Sequence, residues 1–70
     1  MTQNQKILEH LMTKGTITQL EALNKYGCMR LSGRIFELRQ KGYDIHTKII
    51  AVRNRDGEAA YVAEYSLEVA

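Results

Sequence analysis

Seventy residues suffice for one small domain of marginal stability and leave no room for a second core. A single cysteine, Cys28, excludes an internal disulfide framework and fits a reducing compartment; with His10 and His46 it makes no metal-ligand spacing. No apolar run approaches the roughly 20 residues of a bilayer span, and MTQNQK carries no signal-peptide core, so a cytoplasmic protein is expected.

The net charge of +2 conceals an uneven distribution. Between residues 25 and 55, eight Lys or Arg stand against Glu37 and Asp44, a net +6, while the remainder is net −4. A basic centre between acidic ends points to a polyanion partner.

The first helix is predicted over Gln3–Lys14. Thr2 is its N-cap and Gln5 completes a capping box. Ile7, Leu8, Leu11 and Met12 fall on one face, and Gly15 follows. A second capping box, Thr18 with Glu21, opens a short helix over Gln19–Tyr26, which Gly27 ends. Ile17 stands before the cap, where it can pack back onto the helix. Leu20, Leu23 and Tyr26 share a face with Ala22 beside it. The third helix is predicted over Arg30–Lys41, with Leu31, Ile35 and Leu38 as its inward stripe and Phe36 and Met29 at the core edge.

From Tyr43 the pattern turns to β-branched and aromatic residues on both sides of RNRDGE, a hairpin signal. A two-residue Asp56-Gly57 turn would pair Val52 with Tyr61. A three-residue loop, with Gly57 left-handed, would pair Ile45 with Leu67 and Ile49 with Ala63. The second matches apolar residues better near the helices, and a one-residue slip would turn that face outward.

Helix, helix, helix, hairpin, with roughly three residues between the second and third helices, is an α+β winged helix-turn-helix pattern. It implies three helices followed by a two-stranded β-hairpin wing, in one domain over residues 1–70. The helix-turn-helix occupies about 18–42 and the wing about 43–68. The stretch from Ile17 to Ile45 also resembles the small winged helix-turn-helix domains of bacteriophages and prophages. Ile17, Thr18, Glu21, Ala22, Arg30, Leu31, Arg34, Ile35, Glu37, Leu38, Arg39, Gly42 and Ile45 carry the resemblance. It implies double-stranded DNA as partner and a role in transcription regulation or as a recombination accessory factor, in the cytoplasm of a bacterial host.

In such a fold the start of the third helix reaches base edges. Arg30, Ser32 and Arg34 lie there. Arginine can grip guanine bidentately, and serine can serve either role. The family pattern also implies a salt bridge from Arg34 to Glu21 or Glu37. Gly33 and Gln40 point outward, with Lys41 beside them. Gly33 costs about 1 kcal/mol against Ala in a helix, which either a partner's close approach or packing on the second helix would explain. Thr16, Thr18 and Gln19, at the start of the second helix, are candidate phosphate contacts, although Thr18 serves first as a cap. Arg53, Asn54 and Arg55 at the wing tip, with Lys48 on the strand, are candidates to follow a phosphate backbone or enter the minor groove.

Cys28 reads as a small apolar plug. No Ser-His-Asp order, phosphate loop or paired-carboxylate pattern stands out, so no enzyme activity, cofactor or metal is expected. The rival expectation is a protein-interaction module on the same fold, since fold does not fix function. Tyr43, Tyr61 and Tyr65, with the acidic 58–68 segment, would then form a contact face or homodimer edge, or inhibit a host complex.

Overall fold

The computed structural model describes residues 2–68. Its elements are α1 (Gln3–Lys14), β1 (Thr16–Thr18), α2 (Gln19–Tyr26), α3 (Leu31–Gln40), β2 (Ile45–Arg53) and β3 (Ala59–Leu67). Both capping boxes form as their sequences imply, Thr2 with Gln5 and Thr18 with Glu21. Each closes two helix-end amides that would otherwise lack partners. Gly27, at φ 65°, ends α2 in the left-handed conformation. Its N–H donates to the Leu23 carbonyl, and that of Cys28 to the Ala22 carbonyl.

The sheet corrects the expectation of a two-stranded wing. It has three antiparallel strands in the order β1-β3-β2. Thr16, Ile17 and Thr18 pair with Ser66, Tyr65 and Glu64. Ile17 is therefore a strand residue, fully buried in the core. The hairpin takes the three-residue loop, pairing Ile45 with Leu67 and Ile49 with Ala63. Gly57 lies at φ 79°. The Asn54 side-chain oxygen accepts from the N–H groups of Asp56 and Glu58, at 3.0 Å each, which shapes the tip without any core beneath it.

Ile7, Leu11, Ile17, Ala22, Cys28, Leu31, Ile35, Leu38 and Ile45 form the core. His10 is buried beside them and shares a 2.8 Å hydrogen bond between its Nδ1 and the Tyr26 hydroxyl. The expected inward face of α2 is rotated. Ala22 is buried, whereas Leu23 is 44% exposed and Leu20 more so. A methyl side chain lets α2 approach the rest of the core closely, and that contact sets the helix phase. Phe36, Met29 and Met12, expected in the core or at its edge, are exposed. Tyr65 is half-buried against the core through its place opposite Ile17, so it is not a free contact-face tyrosine.

Candidate nucleic-acid interface

Beyond Gly27 and its backbone bonds, one side chain braces the turn between α2 and α3. The Gln19 amide nitrogen donates to the Cys28 carbonyl at 2.6 Å, and its oxygen accepts from the Leu31 N–H at 2.8 Å. Gln19 thus joins the first residue of α2 to the turn and to the first residue of α3. It supplies a partner for an initial helix amide that Arg30, the N-cap without a side-chain cap bond, does not supply. An amide spent on these bonds is a bracket for α3.

With α3 so placed, Leu31, Ile35 and Leu38 face inward, and Ser32, Phe36, Gln40 and Lys41 are exposed. Gly33 lies among the outward residues. A Cβ built there would meet nothing within 4 Å, so close packing on α2 is not its reason. No side chain projects from α3 at that point, and there is open space where one would stand.

The two arginines within α3 are tied to the protein itself. Arg34 pairs with Glu37 at 3.0 Å and donates to the Asn4 side-chain oxygen at 3.3 Å, which locks one flank of α3 to α1. Of the two partners expected for Arg34, the structure selects Glu37; the Glu21 carboxylate lies instead 3.8 Å from His10 Nε2. Arg39 donates to the Ile45 carbonyl through Nε and Nη2, at 2.9 and 2.6 Å, and to the Thr47 hydroxyl at 2.9 Å. It fastens the other flank to the root of the wing.

The remaining candidates divide into two groups. Arg30, Ser32, Gly33, Gln40 and Lys41 gather on α3. Arg53, Asn54 and Arg55 gather at the wing tip, where Arg53 donates to the Gly57 carbonyl at 3.1 Å and Asn54 shapes the loop. Lys48 faces Glu64 across the strands. Strand alternation puts it on the face opposite Thr47, hence away from the attachment of α3. Thr16 is half-buried in β1 rather than at the start of α2, and the Thr18 hydroxyl caps α2. Of the candidate cations, Arg30, Lys41, Lys48 and Arg55 are exposed and have neither an ion pair nor a side-chain hydrogen bond among the described residues.

The sequence reading missed two features. Gln19 has a bracketing role that no local pattern announces, because its partners lie nine and twelve residues on. Phe36, 60% exposed, lies on the outer side of α3. Its angular offset from Ile35 and Leu38 is the signal that places it outside the inward stripe.

A helix-turn-helix with a bracketed third helix and a strand hairpin beside it defines a winged helix-turn-helix domain. The family model described as winged helix-turn-helix domain matches residues 2–70, and the chain belongs to that family. No curated protein and no solved structure matches it.

Proposed function

We propose that this protein binds double-stranded DNA, with α3 in the major groove and the wing tip along the phosphate backbone. The observation that carries the reading is the outer face of α3. Among the described residues Ser32, Phe36 and Gln40 stand exposed on it, no side chain projects at Gly33, and exposed Arg30 and Lys41 flank it. Arg30 sits at the helix start, where base edges come within reach. Arg53 and Arg55 supply cations at the tip. Thr18, Gln19, Arg34 and Asn54 hold the scaffold. A single small module buries about 600–1,000 Å² on DNA, so two copies or a tandem site would raise its affinity. The role that suits such a module is phage-related transcription regulation or accessory work in recombination, in the bacterial cytoplasm and without catalysis.

The test is affinity on chosen and random duplexes across several salt concentrations. Arg30→Ala should relax preference at one base position by about 1–3 kcal/mol. Arg53→Ala with Arg55→Ala should weaken binding alike on all sequences, lowering the salt slope by about 0.9 per lost phosphate contact. No binding to any duplex at about 50 mM salt would overturn the proposal.

One observation favours a second reading, a protein-interaction module. β2 is an edge strand nine residues long that carries exposed Ile49, with Tyr61, 74% exposed, on the adjacent strand. Unprotected edges of this kind pair with other chains. Sedimentation at high concentration discriminates: a dimer weakened by Tyr61→Ser supports this reading, and a strict monomer removes the homodimer.

A further inference from the structure

We infer that the outer face of α3 reads A·T base pairs, with Phe36 against a thymine methyl and Gln40 on an adenine edge; this rests on the DNA-binding reading above. The inference starts from what the face lacks. Arg34 is paired with Glu37 and bonded to Asn4, and Arg39 is bonded to Ile45 and Thr47. Both arginines within α3 are therefore engaged elsewhere, which leaves Arg30, at the helix start, as the exposed arginine beside this face.

What remains has another chemistry. Ser32, Phe36 and Gln40 recur at four-residue spacing and are all exposed, so they form one row along the helix. In the major groove, glutamine pairs bidentately with adenine N6 and N7, phenylalanine packs on the thymine methyl, and serine serves either role. A single exposed aromatic is ordinary on a protein surface. Here it stands one turn from Gly33, whose missing side chain leaves open space around the helix backbone. The row can therefore sink toward the groove floor, where the methyl and the adenine edge lie. Phe36 and Gln40 are about 6 Å apart along the axis at 1.5 Å per residue, close to two base-pair steps of about 3.4 Å.

The experiment uses the full chain. A preferred duplex is selected from a random pool, and each thymine in it is then replaced singly by deoxyuridine, which lacks only the methyl. Loss of one packed methyl should weaken wild-type binding about fourfold at one position. Phe36→Ala should lose a similar factor on the thymine duplex and show no further loss on the deoxyuridine duplex. Gln40→Ala should relax preference at an A·T pair about two steps away. Circular dichroism checks that each variant is folded, and Phe36→Leu should keep part of the methyl sensitivity. Equal wild-type affinity for thymine and deoxyuridine at every position would overturn this inference alone. So would a Phe36→Ala variant that still senses the methyl. Absence of any duplex binding would overturn it together with the reading on which it rests.

Discussion

The helical half and the outer half of the wing are held by different physics. In the first, α1, α2 and α3 converge with β1 and the root of β2 on a core that holds nine of the described residues. In the second, β2 and β3 continue beyond Ile45 and Tyr65 with their side chains exposed or half-buried, stabilised by strand pairing and by the Asn54 turn. The contrast teaches where change is tolerated. Substitutions at the tip alter what the protein can touch, whereas those in the helical half alter whether it folds.

The sharpest way to break that comparison is Leu38→Ala. Leu38 is 2% exposed among Leu31, Ile35 and Ile45, and truncation of such a residue costs about 2–5 kcal/mol. Against a total of about 5–15 kcal/mol for a domain, urea denaturation should show most of the stability gone. Gln19→Ala comes next. It removes the partners of the Cys28 carbonyl and the Leu31 N–H, which should cost about 1–3 kcal/mol. Hydrogen exchange should show faster exchange of the Leu31 amide than of the α1 interior. Tyr61→Ser should change stability by no more than about 0.5 kcal/mol. A large loss there would mean that the outer wing supports the fold after all.

How much of this was legible in the sequence follows the same division between local and distant causes. The ranges of α1 and α2 follow from Thr2 with Gln5, from Thr18 with Glu21 and from Gly27, because capping is decided within four residues. The hairpin register follows from Arg55-Asp56-Gly57 and the apolar matches Ile45 with Leu67 and Ile49 with Ala63. β1 was hidden. Three residues after a glycine, the last of them itself the helix cap, are too few to show alternation, and their partners lie 46 to 50 residues away. The phase of α2 was misread because Leu20 and Leu23 outweigh Ala22 in any hydrophobic pattern, yet close approach favours the smaller residue. Within the candidate interface, the outward positions of Gly33 and Gln40 were legible from helix geometry. The diversion of Arg39 to the wing root and the commitment of Gln19 were not, since both depend on backbone groups brought near only by the fold.

The strand order β1-β3-β2 also bears on how the chain assembles. The middle strand of the sheet is the last of the described elements in sequence order. The link between α1 and α2 therefore gains its strand partner only after the hairpin has turned and β3 has returned beside it. Closing so long a loop costs entropy before its contacts are gained, which slows folding relative to a purely helical bundle of this size. The wing is consequently not an appendage added to a finished helix-turn-helix: its returning strand seals the chain into one cooperative unit.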